Sequence, residues 1–334
     1  MKKVLITGGT GFIGSHLVRA NLAAGNRVRI LALPDDPSAQ IHRDLGCEIH
    51  SGDIRNFEDI ERATSDIEIV FHLAAVVSDW APRKLFHDVN ITGMKNICRA
   101  CLHNSTGRLI EVSTNDVFGL RENVIIDETF NFEYWGEPYA DTKLEAARIV
   151  FEYSKMGLPI SMVYPCWVYG PGDLTFVPLV ADAIRKQDLI FWRKDVIIWP
   201  TYIDNVIDLL MVTAEHPAAV GEGFLVHDGV SDTFQHFSKK ISESIGEQSP
   251  RLHIPYWSAY TAAWLMEFKG KMLNRHKRPL LTRYTVKNLG SRLQFSIQKA
   301  EKLLGWTPII DYQTGFERTM SWLEQTNPDL WRQK

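Results

Sequence analysis

The stretch "KVLITGGTGFIG", residues 3–14, decides the fold. KVLIT is a short continuous apolar run that breaks into glycine, the pattern of a buried strand in a parallel sheet. "SHLVRANLAAG" follows with helical spacing and stops at Gly25. A glycine pattern between a strand and a helix is the context that raises it above coincidence. Gly8 makes the tight turn, Gly11 lets a backbone approach a pyrophosphate, and Gly14 lets the helix pack close on the strand. The free amides and positive dipole end of that helix favour phosphate, so Gly8, Gly11, Phe12, Ile13 and Gly14 are assigned to a dinucleotide. The spacing Gly8-x-x-Gly11-x-x-Gly14 has one residue more than the usual fingerprint.

Working outward, "RVRILAL", "CEIHSGD", "EIVFHLAA", "RLIEVSTNDVFG" and "PISMVYP" read as further strands, with helical segments between most of them. Strands alternating with helices predict an α/β fold of the Rossmann type, a doubly wound parallel sheet whose ligands bind outside the carboxyl ends of the strands. From about residue 170 prolines, tryptophans and shorter segments mix. This predicts residues 1–168 as the dinucleotide-binding domain, with 169–334 as mainly a smaller, interleaved α/β substrate-binding domain. "GFLVHDG" still reads as a strand, so 200–230 is expected to return to the sheet.

Composition narrows the class. The chain has 334 residues, 45% hydrophobic and 23% charged, with a net charge of −3. These are ordinary globular values, and no global basic field exists to hold nucleic acid. The apolar run after the initial lysines is too short for a secretory core, so a cytoplasmic protein is expected. Four cysteines are too few for a disulfide framework. Cys98 and Cys101 form a CxxC inside "MKNICRACLHN", an amphipathic helical pattern with no second pair to complete a metal site, so no metal is assigned.

"PYADTK", residues 138–143, places Tyr139 four residues before Lys143. On a helix the two project from one face and can act together. It is the only YxxxK in the chain.

TGxxGxxG, "GDI" at 52–54, "HLAA" at 72–75, Asn90 opening "NITGMKN", YxxxK, "YGPGD" at 169–173 and "YIDN" at 202–205 occur in order. Together they resemble the extended short-chain dehydrogenase/reductases, the NAD-dependent epimerase/dehydratase superfamily. Within it, the carboxyl-terminal "RPLLTRYTVKNLGSRLQFSIQKAEKLLGWTPIIDYQTGFERTMSWL" and the apolar "IPYWSAYTAAWLMEF" are similar to the 3β-hydroxysteroid dehydrogenase and sterol-4-carboxylate dehydrogenase branch. The resemblance implies that Asp53 and Ile54 sit against an adenine. It also implies that Ala74, Ala75 and Pro165 lie beside the cofactor, and that His72 is a packed strand histidine. Neither the acid expected for NAD nor the arginine expected for NADP stands at the end of the second strand, where Ala32 and Leu33 fall. Asp35 and Asp36 follow closely and repel a 2′-phosphate, which favours NAD over NADP.

The same resemblance assigns Thr114, five residues before Gly119, as the hydrogen-bond donor to a substrate oxygen, Tyr139 as the acid/base and Lys143 as its electrostatic partner and a ribose-hydroxyl donor. A free phenol has a pKa near ~10, and bringing it toward 7 takes roughly 4 kcal/mol of phenolate stabilisation. Lys143 and a nicotinamide's positive charge are the expected sources.

Departures from the sugar-nucleotide pattern point to the substrate. Asn115 cannot act as the acid of a dehydratase. Tyr164 and Trp167 stand where epimerases carry an arginine and a diphosphate-binding asparagine, which favours a hydrophobic ligand. Val76 in "VVSDWAP", Trp135, Trp167 and the aromatic run at 256–268 are expected around an apolar pocket, with Val76, Thr114, Trp135 and Trp167 assigned to substrate. The expected reaction interconverts a secondary alcohol and a ketone on a sterol-like or 2-alkyl-3-oxo acid-like molecule. A nucleotide-sugar epimerase is the alternative enzyme, and a non-catalytic NAD(P)-binding sensor or scaffold the alternative class. Residues 254–268 are too few to span a bilayer and read first as a core or substrate-covering helix. With "KGKMLNRHKR" behind them, 254–278 also read as a peripheral membrane contact. A homodimer is expected by the same resemblance.

Overall fold

The structure is a computed structural model and describes residues 1–193, 196–273 and 278–331. Seven strands form one parallel sheet. In chain order the framework is β1 (Lys3–Thr7), α1 (Phe12–Ala23), β2 (Arg27–Ala32), β3 (Glu48–Ser51), β4 (Ile69–His72), α2 (Gly93–His103), β5 (Arg108–Val112), α3 (Pro138–Lys155), β6 (Ile160–Pro165), α4 (Ile203–Glu215) and β7 (Gly223–Val226). Across the sheet the strands run β7-β6-β5-β4-β1-β2-β3. The order reverses at β1, which pairs with β2 on one side and β4 on the other. That reversal opens a crevice at the carboxyl edge, where ligands of such sheets bind.

The strands are apolar on both faces because helices cover both: Val4, Leu5, Ile6, Ile30, Val70, Leu109, Ile110 and Val163 are all buried. β7 pairs with β6 in the register Gly223↔Met162 to Val226↔Pro165, so a strand distant in sequence closes the sheet. Glycine is required there, since a Cβ on Gly223 would meet the Tyr164 ring at 2.5 Å. Two more helices lie beyond the sheet, α5 (Tyr256–Met272) and α6 (Arg283–Asn288).

One predicted strand is shorter than its sequence suggests. "RLIEVSTNDVFG" leaves the sheet after Val112, and Asn115–Phe118 form a 3₁₀ turn. Thr114 causes the change: its hydroxyl accepts from the Asp116 amide at 3.3 Å, and Gly119 at φ 81° ends the turn. Cys98 and Cys101 are buried inside α2, and burial pushes both thiols up, Cys101 to about 12. Among the described residues no group of three or more His, Cys, Asp and Glu could hold a metal ion.

Candidate active site

The glycine turn has little room for change. Gly8 takes φ +70°, and a Cβ there would meet the Ala74 amide at 2.8 Å. A Cβ on Gly14 would overlap the Gly8 carbonyl oxygen. α1 starts after Gly11 with no side-chain cap, so its first amides are left for a ligand from outside the helix. This is the arrangement a pyrophosphate needs, and the residues present fit a dinucleotide.

α3 begins with Pro138 at its first position, which fixes the entry of the chain, and Asp141 accepts from the Trp135 and Gly136 amides at 2.9 and 3.1 Å. Tyr139 and Lys143 therefore sit one turn apart on the first two turns. Asn90, buried, accepts from the Val76 amide at 2.8 Å and donates to Thr142 at 3.1 Å, tying the segment after β4 to α3.

A single cavity of about 820 Å³ at the carboxyl edge brings these parts together. Gly8, Gly11, Phe12, Ile13, Gly14, Asp53, Ile54, Ala74, Ala75 and Pro165 line it, and so do Thr114, Tyr139, Lys143, Val76 and Trp167. Trp135 does not. It is buried behind the wall, stacked on Tyr284 with ring centroids 5.7 Å apart, so its expected place against substrate is corrected to that of a support. None of the aromatics at 256–268 lines the cavity either, so that helix is not its cover.

Electrostatics correct a second expectation. The Lys143 ammonium donates to Glu111 at 2.7 Å and to the Val112 carbonyl at 2.9 Å, all of them buried. Its charge is thereby compensated from the strand below. Burial, and then the charge of Asp116, push the Tyr139 phenol well above its ordinary value, with a hydrogen bond from Thr114 pulling the other way. Burial therefore outweighs whatever pull the lysine exerts on the phenol within this chain. Its bonds to Glu111 and Val112 use two of the lysine's three N–H donors, and the residue lines the cavity. His72 is indeed packed: its Nδ1 shares a 2.6 Å hydrogen bond with the Thr7 hydroxyl, and burial, helped by Lys143, holds its pKa down to about 3.

Sequence reading missed three residues. Asp116 lines the cavity, and burial raises its pKa to about 6 against the opposing pull of the Tyr284 hydroxyl, which donates to it at 2.7 Å. Tyr284 also meets Tyr139 edge-on at 6.1 Å. Tyr284 and Asn288 reach the cavity from α6, far along the chain. Their spacing of four, the same as in "PYADTK", was the available signal. At the other end the sequence suggested neither acid nor arginine in place, but the cavity holds both. Asp36 accepts from the Thr10 hydroxyl at 2.7 Å, and Arg55 is committed to Asp53 at 2.9 Å. Arg55 holds the Asp53 carboxyl below its usual range.

Residues 4–226 match the NAD dependent epimerase/dehydratase family. Sterol-4-alpha-carboxylate 3-dehydrogenase, decarboxylating, of Mus musculus is 28% identical over 96% of this chain and 90% of its own length. The 2-alkyl-3-oxoalkanoate reductase of Stenotrophomonas maltophilia is 26% identical over 95% and 98%. An epimerase structure from Methanothermobacter thermautotrophicus superposes with a TM-score of 0.81 at 23% identity, covering 100% of this chain and 95% of that one, a likeness of fold. The chain belongs to the NAD dependent epimerase/dehydratase family, as an oxidoreductase that uses a nicotinamide cofactor.

Proposed function

We propose that this family member interconverts a secondary alcohol and a ketone on an apolar ring or chain substrate, with Tyr139 as acid/base and Thr114 donating to the substrate oxygen. When bound, the nicotinamide cofactor exchanges the hydride with the substrate carbon, and its oxidised ring brings a positive charge. Gly8, Gly11 and the start of α1 hold its phosphates in this reading, and the free N–H of Lys143 takes a ribose hydroxyl. Tyr139 exchanges the hydroxyl proton with the substrate oxygen. Because Glu111 compensates Lys143, the Thr114 hydrogen bond is the stabilisation this chain itself offers the phenolate, and a bound oxidised nicotinamide would add its positive charge.

The observation that carries the reading is the far wall of the cavity. Trp167 packs on Phe176 with centroids 4.8 Å apart, and both line the cavity beside Val76 and Val168. A sugar diphosphate needs cations or amides at that end. The cavity's two cations among the described residues, Arg55 and Lys143, are both ion-paired. The same pairing favours a neutral alcohol, of the 3-hydroxysteroid kind, over a substrate with a free carboxylate, which would face Asp116. The dehydrogenase and reductase names among the relatives support the chemistry. NAD is favoured over NADP because Asp36 is paired with a hydroxyl and not with a cation, whereas Arg55 is neutralised by Asp53.

Nicotinamide fluorescence with NAD(H) and NADP(H) against neutral hydroxysteroids, their carboxylated counterparts, 2-alkyl-3-oxo acids and UDP-sugars tests this. Net conversion with a neutral steroid alcohol or ketone is expected, faster with NAD(H). Sugar isomerisation without net nicotinamide change makes the protein an epimerase, and cofactor binding without turnover makes it a sensor.

A further inference from the structure

The turn after β5 carries polar groups that the fold leaves without partners. Asn115 and Asp116 are buried, at 7 and 4% exposure, and both line the cavity. Asp116 Oδ2 accepts from the Tyr284 hydroxyl at 2.7 Å, whereas its Oδ1 has no partner among the described residues. The side-chain amide of Asn115 likewise bonds to none of them. Neither group is sealed inside the protein, so both open onto the cavity. Buried polar groups in folded proteins are satisfied, and two adjacent open ones in a cavity call for a ligand that supplies the missing partners. The rest of that end is apolar, walled by Trp167, Phe176, Val76 and Val168, so the polar turn is a local feature of the wall.

We infer, resting on the alcohol–ketone reading above, that this turn is a second polar subsite for a hydroxyl on the carbon next to the reacting one, so that the preferred substrate is an apolar vicinal diol or its hydroxyketone. Chemistry selects the group. A carboxylate or phosphate would meet Asp116 charge against charge, and the cavity's two cations among the described residues are already paired. An ammonium has no lone pair for the Asn115 N–H. One hydroxyl meets both needs: its O–H donates to Asp116 Oδ1 and its oxygen accepts from the Asn115 amide. Position selects the carbon. Thr114, which holds the reacting oxygen in this reading, accepts from the Asp116 amide at 3.3 Å. Tyr139 meets edge-on, at 6.1 Å, the ring of Tyr284 whose hydroxyl is bonded to Asp116. The subsite therefore adjoins the Thr114 and Tyr139 pair, and an oxygen on the neighbouring carbon reaches it while the reacting oxygen stays on Thr114. Tyr284 acts as a positioning residue, holding one oxygen of Asp116 so that the other is presented, and Asn288 donates to the Tyr284 hydroxyl at 3.4 Å. The second hydroxyl is unchanged by the reaction: the reacting carbon gives its hydride to the oxidised nicotinamide and its hydroxyl proton to Tyr139.

The test compares a saturated 3-hydroxysteroid with its 2,3- and 3,4-diols in both configurations and with the matching amino alcohols. Dissociation constants are taken by calorimetric titration of the full chain with NADH bound, a complex in which an alcohol cannot react, and kcat/KM with NAD. One of the diols is expected to bind and to turn over about 10- to 100-fold better than the mono-alcohol, the worth of a hydrogen bond to a charged group. Asp116→Val with Tyr284→Phe removes both members of the pair and orphans neither, and it is expected to bring that ratio close to one. Asn115→Leu lowers the ratio by a smaller factor. Each ratio is taken within one protein, so a reduced folded fraction cancels. Diols that bind no better than the mono-alcohol overturn the subsite and leave the alcohol–ketone reading standing. Absence of turnover with every alcohol sinks that reading instead, and the dissociation constants still decide the subsite. Variants that weaken NADH binding while keeping the diol ratio give the turn to the cofactor and overturn the subsite, as does an amino alcohol that binds more tightly than the diol.

Discussion

The two ends of the cavity are built from different materials. At the cofactor end the groups aimed at the ligand are backbone: the turn at Gly8 and the uncapped start of α1, with Ala74 packed so close that Gly8 admits no side chain. At the substrate end the groups are side chains from four separated segments, Thr114 and Asp116 after β5, Tyr139 on α3, Trp167 and Phe176 after β6, and Tyr284 on α6. A backbone site is fixed by a short run of contiguous residues and tolerates no Cβ. A side-chain site is set by tertiary contacts, and it carries the specificity that distinguishes members of one fold.

The sharpest way to break the comparison is Tyr139→Phe, which alters the substrate end alone. Steady-state turnover is expected to fall about 10²–10⁴-fold, the usual worth of a positioned acid/base group, while cofactor affinity by fluorescence titration is retained. Unchanged turnover means the proton travels by another group.

Glu111→Ala strikes the joint between the two ends. It leaves the Lys143 ammonium buried without its carboxylate, which costs about 3–5 kcal/mol of stability. The urea midpoint reads the loss. Pairing the change with Lys143→Met is expected to restore most of it, since a hydrophobic replacement of a buried pair is often neutral. A small effect of Glu111→Ala alone shows that water reaches the pair.

Asp116→Asn gives the smallest and most specific effect. The folded pKa of about 6 is above the carboxyl's unfolded value, so this group's contribution is fully present below ~4 and is lost as pH rises through 6. The loss amounts to about 3 kcal/mol, at 1.36 kcal/mol per unit. The variant is therefore expected to match wild type near pH 4 and to exceed it by up to that amount at pH 8, measured by denaturant unfolding at each pH. Removing the charge also relieves the upward push on Tyr139, so the alkaline limb or midpoint of the pH–rate profile moves to lower pH. Parallel stability curves for the two proteins remove Asp116 from the account of this pocket.

Legibility followed the same divide. Asp53, Ala74 and Ala75 were named only through the family resemblance, and the structure puts them on the cavity wall, whereas the parallel sheet and the glycine turn were readable because each rests on a local pattern, apolar runs and glycine spacing. Tyr139 and Lys143 were readable as a pair for the same reason, being one helical turn apart. Trp135 was misplaced because a tryptophan before a helix carries no sign of which side of the wall it occupies, and the Tyr284 ring that it stacks on is supplied by α6. The apolar segment of α5 was readable only as a pair of alternatives, a core or substrate-covering helix first and a membrane contact second, because apolar content does not tell which face turns inward; the packing of Gly270 on Trp80 shows the inward face.

The sequence by itself determined the order of strands and helices, the place where phosphates can meet free amides, and one phenol next to one ammonium on a helix. Those follow from dihedral preferences and hydrophobic periodicity, which act over a few residues. Tertiary structure alone decided that Glu111 takes the ammonium's charge, that Asp116 and Tyr284 close the substrate end, and that α5 turns its tryptophans outward. Charge compensation and burial depend on which distant atoms become neighbours, and no local pattern carries that information.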